Sequence, residues 1–374
     1  MYSLMKFIVI GAGILGASTA YQLAKAGARV VIVDRKDQGQ ATDAAAGIVC
    51  PWLSQRRNKA WYQLAKGGAS FYPKLIEELK EDGELNTGYA KVGAISVHND
   101  QEKLLQIEKR ALLRREDAPE IGDVTILTPQ ETKKLFPLLA DGFGSVHVSG
   151  AARVDGRALR DALLRGAQSF GASIIRGNAE LLYSDTSVEG VTINGDKIVA
   201  DTTIVTTGAW GSQILSPLGV QFMGDFQKAQ IIHLKVQGLE TRNLPVVMPP
   251  TDQYILAFED ERIVIGATHE NHTGFDTRIT AGGLQEVFSK ALEIAPGLSN
   301  AAFIEARVGF RPFTPGFLPI IGPLPGYQGI LVANGLGASG LTMGPFIGLE
   351  LSRLALGKST TIDLGLYDVK NAIH

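Results

Sequence analysis

Apolar and polar positions alternate along the chain with two different periods. Residues 7–10 are a continuous apolar run of buried-strand length, residues 28–33 predict a second strand, and the segment between them, 17–26, has helical spacing. Helices are also predicted over 61–80, 102–115, 156–170, 282–295 and 345–356, and strands over 94–97, 172–176, 202–206 and 330–333. Strands that alternate with helices predict an α/β fold with a parallel sheet.

Period-two alternation predicts a second, antiparallel sheet. Ile232, Leu234 and Val236 alternate with polar residues, and two strands, 254–258 and 262–268, flank Glu259-Asp260-Glu261 as a hairpin. Another hairpin is predicted between 188–193 and 197–200, because both residues of Asn194-Gly195 tolerate positive φ. Such alternation is typical of a sheet covered on one face.

A glycine motif follows the first predicted strand directly. Gly11, Gly13 and Gly16 have the spacing that permits a tight turn, approach of the backbone to a pyrophosphate, and close packing of helix on strand. Asp34 ends the next strand about 20 residues on, where a carboxylate accepts the ribose hydroxyls of an adenosine. Arg35 suits a 2'-phosphate, but the adjacent Asp34 would repel it, which disfavours NADP.

The changes of pattern predict an interleaved chain of two domains. We assign residues 1–88, 146–220 and 312–374 to a Rossmann-like nucleotide domain, whose pattern resumes at Val146, and residues 89–145 and 221–311 to an antiparallel-sheet substrate domain. A length of 374 residues agrees with two domains.

Composition and charge narrow the functional classes. The formal net charge of −2 gives no electrostatic reason to expect nucleic acid as a partner. Cys50 is the single cysteine, so an intramolecular disulfide is excluded and a cytoplasmic location is expected. No integral membrane segment or metal site is expected. The 102–115 helix fits either a basic amphipathic surface or, with its acidic neighbours, an ordinary solvated face; homo-oligomer formation is left open.

A second motif lies far from the first, near the C-terminal end. Residues 307–322 contain two arginines and proline-rigidified turns, and residues 335–345 form a glycine-rich helix start. Unpaired N–H groups at a helix N-terminus favour an anion, which suits the negative charge of a reduced flavin near its N1 and C2 oxygen. The two motifs together indicate a flavin rather than a nicotinamide.

These residues resemble the D-amino acid oxidase and glycine oxidase superfamily of flavoproteins over essentially the whole chain. The resemblance implies a Rossmann-like FAD-binding domain and noncovalent FAD, since Gly309 stands where some sarcosine oxidases carry the cysteine that attaches the flavin. The implied FAD-binding residues are Gly11, Ala12, Gly13, Ile14, Leu15, Gly16, Asp34, Arg35, Ala45, Ala46, Gly47, Ile48, Ala179, Thr207, Gly208, Arg311, Gly337, Ala338, Ser339, Gly340, Leu341 and Thr342.

The same resemblance assigns the substrate carboxylate to Arg311. A guanidinium suits this role because its two parallel N–H donors match two carboxylate oxygens. The alternative is a structural arginine paired with Glu305 or Asp225. Tyr254 is implied as a pocket tyrosine that assists Arg311, or else is an ordinary strand aromatic.

The roles of three further residues stay open: His269 and His272 follow the predicted hairpin, and Trp52, with its neighbours, is a candidate for the pocket mouth.

The implied activity is oxidation of the C–N bond of a small amino acid, by hydride transfer to flavin N5, to an imino acid that hydrolyses to an oxo acid. Candidate substrates are a D-amino acid, glycine or an N-alkyl glycine. Alternatives are a flavin dehydrogenase for proline or a hydroxy acid that passes electrons to a quinone or partner protein, and a flavoprotein subunit of a larger complex. The particular amino acid, its handedness and the electron acceptor are not fixed by the sequence.

Overall fold

The computed structural model describes residues 5–374 and has two large sheets. The strands are β1 (Lys6–Ile10), β2 (Arg29–Asp34), β3 (Ile48–Val49), β4 (Ala94–His98), β5 (Val124–Leu127), β6 (Gly144–Val148), β7 (Ala152–Arg153), β8 (Ser173–Arg176), β9 (Ala179–Ser184), β10 (Ser187–Ile193), β11 (Asp196–Val199), β12 (Thr202–Val205), β13 (Asp225–Lys235), β14 (Val246–Met248), β15 (Tyr254–Ala257), β16 (Arg262–Gly266), β17 (Ala302–Phe313), β18 (Ile320–Pro323) and β19 (Ile330–Asn334). The α-helices are α1 (Ile14–Lys25), α2 (Lys59–Glu81), α3 (Gln101–Arg115), α4 (Pro129–Leu135), α5 (Gly156–Ser169), α6 (Gly211–Leu215), α7 (Ala281–Ile294) and α8 (Gly340–Ala355).

The first sheet has six strands in the order β18-β19-β12-β1-β2-β8. All neighbours run parallel except the edge strand β18, which is antiparallel to β19. Phe7 and Val9 of β1 pack toward α1 and α8, whereas Ile8 and Ile10 pack toward the small β9-β10-β11 sheet. Because β1 is covered on both faces, it is a continuous apolar run. The predicted α/β class with a parallel nucleotide-binding sheet is confirmed.

The second sheet has eight strands in the order β17-β13-β16-β15-β14-β4-β6-β5. Its pairs are antiparallel except β14 with β4, and this parallel pair joins strands from two separate stretches of the chain. One face packs on α7 through residues such as Ile232 and Val287. The opposite face turns toward the six-stranded sheet, so residues of both sheets meet at one cleft.

Both predicted hairpins are confirmed. Asn194 and Gly195 connect β10 to β11 with φ of 53° and 92°. Between β15 and β16, Asp260 and Glu261 take φ of 58° and 60°. Strand β6 differs from the sequence interpretation, because Val146 and Val148 pair with β4 in the eight-stranded sheet rather than resuming the nucleotide-binding pattern. A short apolar run does not show which of two sheets it will join.

The last helix begins at Gly340, five residues before the predicted start at Pro345. Proline is common in a first helical turn, which is why the sequence favours a start there. Inside α8, Pro345 has no N–H to donate to the carbonyl of Leu341. The Tyr72 hydroxyl donates to that carbonyl instead, at 2.5 Å, and so satisfies the group that the proline leaves free.

Helix α3 packs on the protein through Leu104, Ile107 and Ala111. Leu105, Leu112 and Leu113 on its other side are exposed. Within residues 5–374, no helix combines the length and apolar composition needed to cross a bilayer.

Candidate active site

The turn between β1 and α1 is shaped by close contacts of its glycines. Gly11 has φ of +98°, a conformation that a side chain rarely adopts. A Cβ at Gly16 would lie 1.8 Å from the carbonyl oxygen of Gly11, so only glycine lets α1 approach β1 this closely. Gly13 is the N-cap residue of α1, and as a glycine it has no side chain with which to cap the helix. The first turn of α1 therefore presents backbone N–H groups at the end where an anion is favoured.

Thr42 reaches the same helix start from a following loop. Its Oγ1 accepts a hydrogen bond from the backbone N–H of Ile14 at 3.0 Å. The loop continues to Gly47, which has φ of +93° and whose added Cβ would lie 1.8 Å from the Val154 carbonyl oxygen. This segment is thus fixed beside the turn by backbone contacts.

Asp34, at the end of β2, organises the neighbouring loop. Its Oδ2 accepts the Ala12 N–H at 2.6 Å, and its Oδ1 accepts the Lys36 N–H at 2.5 Å and the Gln40 side-chain amide at 2.9 Å. Each carboxylate oxygen accepts about two hydrogen bonds, so Oδ2 can accept one more from a ribose hydroxyl. Asp34 therefore holds the loop of the protein in place and keeps an acceptor free for the ribose hydroxyl that the sequence predicts as its ligand.

Arg35 follows at the adenosine end of the cleft. It pairs with Asp37 at 2.6 Å and contacts the side-chain oxygens of Asn178 and Gln213, each at 3.2 Å. These contacts hold the guanidinium across the cleft between β2 and β9. The pairing with Asp37 adds a further carboxylate at this end, which agrees with the expectation that a 2'-phosphate is disfavoured.

The N-terminus of α8 closes the other side of the cleft. A short 3-10 turn at Gly337–Ser339 leads into the helix, and no side chain caps the first turn. Thr342 Oγ1 donates to the Ile48 carbonyl at 2.8 Å, which ties this helix start to the loop that follows Thr42. Two helix N-termini thus face one cleft: the start of α8 has no side-chain cap, and at the start of α1 Thr42 accepts the Ile14 N–H.

One cavity of about 350 Å³ runs through these elements. Most of the predicted FAD residues line it: Gly11, Gly13, Ile14, Leu15, Asp34, Arg35, Ala45, Ala46, Gly47, Ile48, Ala179, Thr207, Gly208, Arg311, Gly337, Ala338, Gly340, Leu341 and Thr342. Ala12, Gly16 and Ser339 are not among the lining residues, because Gly16 packs inward on Gly11 and the Ala12 N–H is used by Asp34. Thr207 Oγ1 is buried with no partner among the described residues, so a polar group fits beside it.

The wall of the cavity near β17 is aromatic. Trp210 and Phe310 line it, and Phe275 stacks on Trp210 with ring centroids 5.1 Å apart. Phe226 stacks on Phe275 in turn, at 4.4 Å. Phe275 belongs to a loop that sequence periodicity does not describe, since it carries no regular element between β16 and α7.

Arg311 reaches the cavity from β17, opposite Gln227 of β13 in the strand register. Its Nη1 lies 3.5 Å from Gln227 Oε1, a weak contact. Within residues 5–374, no carboxylate lies within ion-pair distance of Arg311, including those of the two candidate partners Glu305 and Asp225. Arg307, four residues earlier, pairs with Glu305 and donates to the Asp43 carbonyl. The same strand therefore has one arginine in a structural ion pair and one whose charge is uncompensated.

Tyr254 begins β15 and lines the cavity with Arg311. Burial raises the pKa of Tyr254, and the positive charge of Arg311 opposes that shift. The phenol therefore stays protonated at neutral pH and can donate a hydrogen bond. A Cβ at Gly266 would lie 2.8 Å from the Tyr254 hydroxyl oxygen, so the paired strand leaves room for this side chain.

The cavity also includes His269, whose role the sequence left open, and Asp252, which the sequence did not indicate. His269 Nδ1 lies 3.4 Å from Asp252 Oδ2. His272 does not line the cavity, and Trp52 is buried in the core rather than at the pocket mouth. Asp252 lies two residues before Tyr254, at the start of β15. This closeness to a predicted pocket residue is the sequence signal that could have indicated Asp252.

FAD fits this chain on its own contacts. The two helix starts, the unpartnered Thr207 hydroxyl and the glycine turn provide donors and space along one cleft. A Cβ at Gly309 would lie 2.8 Å from Ala44 Cβ, so there is no room for a cysteine side chain at this position, where some sarcosine oxidases attach the flavin. Cys50 is buried, and burial raises its pKa to about 12. The cofactor is therefore held noncovalently.

Comparisons with known proteins agree with this geometry. Residues 6–354 match the model of the FAD dependent oxidoreductase family, DAO. The chain is 62% identical over 368 residues to "Uncharacterized oxidoreductase YurR" of Bacillus subtilis, covering 98% of this chain and 99% of that protein. It is 31% identical to a glycine oxidase of Pseudomonas aeruginosa, covering 97% and 98%.

A solved structure is similar as well. The iminodiacetate oxidase IdaA from Chelativorans sp. BNC1 superposes with a TM-score of 0.94 at 46% identity, covering 97% of this chain and 98% of that one. Glycine motif, acidic strand end and second helix start thus agree with the family match over most of the chain, and the protein belongs to the DAO family of FAD-dependent oxidoreductases.

Proposed function

We propose that this protein oxidises the C–N bond of a small amine-bearing carboxylate, with an N-alkyl glycine such as iminodiacetate as the favoured substrate, ahead of glycine and D-amino acids. The observation that carries the proposal is the uncompensated guanidinium of Arg311 in the same cavity as the nucleotide-binding turn. The similarity to an iminodiacetate oxidase at 46% identity supports the N-alkyl glycine class. The similarity to a glycine oxidase supports the shared glycine unit.

Arg311 binds and orients the carboxylate. A guanidinium forms two parallel charge-assisted hydrogen bonds with a carboxylate, which fixes direction as well as position. Tyr254, kept protonated by burial, donates a further hydrogen bond at the same end. When bound, FAD supplies the acceptor for a hydride from the substrate Cα.

Small apolar residues leave space between the two ends of the cavity. Ala45, Ala46 and Ile48 line one side, and Ala229 and Gly309 line the other. Their surfaces offer no acid or base and exclude water from the reacting carbon. Positioning of this kind is a sufficient source of rate for hydride transfer, which needs no acid–base pair at Cα itself.

The test is anaerobic reduction of the purified yellow protein by a panel of amines. We expect iminodiacetate to bleach the flavin fastest, followed by sarcosine, glycine and D-amino acids, with L-amino acids and proline slowest. Arg311→Ala should lose reduction mainly through weaker binding, whereas Arg242→Ala, which removes an exposed arginine that does not line the cavity, should match the wild type. Unchanged affinity in Arg311→Ala would contradict the proposal.

The electron acceptor is measured in the same preparation. Oxygen consumption during turnover identifies an oxidase, whereas turnover only with an artificial dye identifies a dehydrogenase. We expect oxygen consumption, as in the oxidases to which the chain is similar. A cytoplasmic location stays a prediction that depends on the single cysteine.

A further inference from the structure

Residues 271–280, which we call the strap, connect the eight-stranded sheet to loops of the six-stranded sheet. The strap leaves β13 after Glu270, which exchanges two backbone hydrogen bonds of 2.9 Å with Lys228. It returns at Thr280, the N-cap residue of α7, whose N–H donates to the side-chain oxygen of Gln230 at 2.9 Å. Both ends of the strap are therefore fixed on β13, and the residues between them contain no helix or strand.

The middle of the strap packs against the nucleotide half of the cleft through an aromatic ring. Phe275 stacks on Trp210 with ring centroids 5.1 Å apart and planes 13° from parallel. Trp210 belongs to the turn that follows β12, and it lines the cavity with Gly208. Further along the strap, Thr277 Oγ1 lies 3.4 Å from the side-chain oxygen of Gln38, in the loop after β2. The strap therefore reaches from the substrate sheet to two loops of the nucleotide sheet.

Phe275 also contacts the substrate sheet. It stacks on Phe226 of β13 at 4.4 Å and meets Phe310 of β17 edge to face at 5.3 Å. Phe310 lines the cavity, whereas Phe275 does not. Because Phe275 is 41% exposed, it covers Trp210 and Phe310 from the solvent side. Aromatic pairs of this kind are favourable beyond the burial of their surfaces, so one ring holds the strap against both sheets.

A buried ion pair holds the strap from beneath. Lys228 of β13 is fully buried, and its Nζ lies 3.2 Å from Asp276 Oδ2 and 3.8 Å from Glu270 Oε2. Lysine is almost never fully buried without a charged partner, so Asp276 fastens the strap to the sheet. Hydrogen bonds from Arg278 lower the pKa of Asp276, and the positive charge of Lys228 lowers it further. The carboxylate is therefore charged at neutral pH.

We propose that the strap is a gate that controls how fast FAD enters and leaves the cavity. The gate opens when Phe275 leaves Trp210 and the pair of Lys228 with Asp276 separates. The contacts that shut it join protein groups, and neither Phe275 nor Asp276 lines the cavity. Opening therefore costs the same with the cavity filled or empty, so the gate sets both rates of exchange without changing the affinity. The inference does not depend on which amine the protein oxidises.

The test is the exchange of FAD bound to the holoenzyme for isotopically labelled FAD, measured by mass spectrometry. Phe275→Ala removes two stacked pairs, so we expect release to be about tenfold faster. The dissociation constant, measured from free FAD at equilibrium after dilution, should change less than threefold, which means that uptake is accelerated as well. Phe275→Tyr keeps the ring and should keep slow exchange. Phe303→Ala, which removes an exposed phenylalanine of β17 outside the cavity, should match the wild type.

The ion pair provides a second measurement. Lys228→Met keeps a long side chain on β13 but removes the charge that holds Asp276, so we expect exchange to be about tenfold faster, again with little change in the dissociation constant. Arg278→Gln is the matched control, because it removes an exposed partner of the same carboxylate. Its exchange rate should change less than twofold.

Closing the strap covalently should have the opposite effect. Gln38→Cys combined with Thr277→Cys places two thiols at the contact between strap and nucleotide loop, and the native Cys50 is buried. Bridging these thiols in the holoenzyme with a short bis-maleimide should slow FAD exchange at least tenfold. Each single variant, treated with the same reagent, should exchange FAD at the wild-type rate.

Three results would overturn the inference. A bridged protein that exchanges FAD at the wild-type rate would show that FAD does not pass the strap. Unchanged exchange in Phe275→Ala would show that the ring does not hold the gate shut. If release and the dissociation constant rise by the same factor in Phe275→Ala, the ring supports binding rather than access. These results leave the proposed amine oxidation untouched, since that function is tested by flavin reduction.

Discussion

The nucleotide end and the substrate end of the cleft are built by different means. At the nucleotide end, shape comes from the backbone: Gly11, Gly16 and Gly47 allow approaches that any side chain would block. At the substrate end, charged and polar side chains from two strands and two loops line the cavity, namely Tyr254, Arg311, Asp252 and His269. The nucleotide end therefore depends on glycines that have no side chain, and the substrate end depends on the placement of a few functional groups.

The largest expected effect is at the nucleotide end. Gly16→Ala places a methyl group 1.8 Å from the Gly11 carbonyl oxygen, so α1 must move away from β1. We expect a colourless protein without bound FAD, measured by flavin absorbance after purification, and a lower melting temperature. Gly282→Ala is the matched control, because its Cβ would meet no atom within 4 Å. Full flavin content in Gly16→Ala would show that the turn is not what limits binding.

The next effect is at the substrate end and leaves the flavin bound. Arg311→Lys keeps the positive charge but loses the paired donors, so we expect the KM for substrate to rise ~100-fold with unchanged flavin absorbance. Arg307→Lys, on the same strand, should instead lower the melting temperature because Arg307 supports Glu305 and the Asp43 loop. Equal effects of the two substitutions on KM would remove the difference between these arginines.

The third prediction concerns Asp34, a side chain that shapes the nucleotide end. Its carboxylate accepts hydrogen bonds from three donors of the protein. Asp34→Asn keeps the size but replaces one acceptor oxygen with a donor, which then faces N–H groups. We expect FAD affinity to fall ~10-fold, equivalent to about 1.4 kcal/mol and close to one charge-assisted hydrogen bond. Titration of the apoprotein with FAD measures it, and Asp196→Asn, an exposed carboxylate of β11 that does not line the cavity, serves as the control.

The smallest effect is expected for Tyr254→Phe. Loss of one hydrogen bond to the substrate should raise KM about fivefold, with kcat little changed. Because burial raises the pKa of Tyr254, its phenol should not produce an alkaline limb in the wild-type rate below its ordinary titration range. The pH profiles of the wild type and Tyr254→Phe should therefore run parallel, and an alkaline limb that disappears in the variant would contradict this.

The same contrast explains what could be predicted from the sequence. The glycine turn, Asp34 and both hairpins are local, because spacing and backbone conformation specify them within a few residues. The sequence named His269 but could not place it beside Asp252, since it comes from an irregular bulge and meets Asp252 only after β15 and β16 have packed. The early start of α8 likewise depends on Tyr72, more than 250 residues away, which compensates for Pro345.

The order of strands in the six-stranded sheet has a consequence for how the protein is made. β1, from the start of the chain, lies beside β12, and β12 lies beside β19, which is synthesised more than 300 residues after β1. Helix α8, which closes the cleft, comes later still. The emerging polypeptide therefore cannot assemble the dinucleotide cleft until the ribosome has nearly finished, and we expect truncated chains to reach the cell's proteases without the protection that a bound flavin gives.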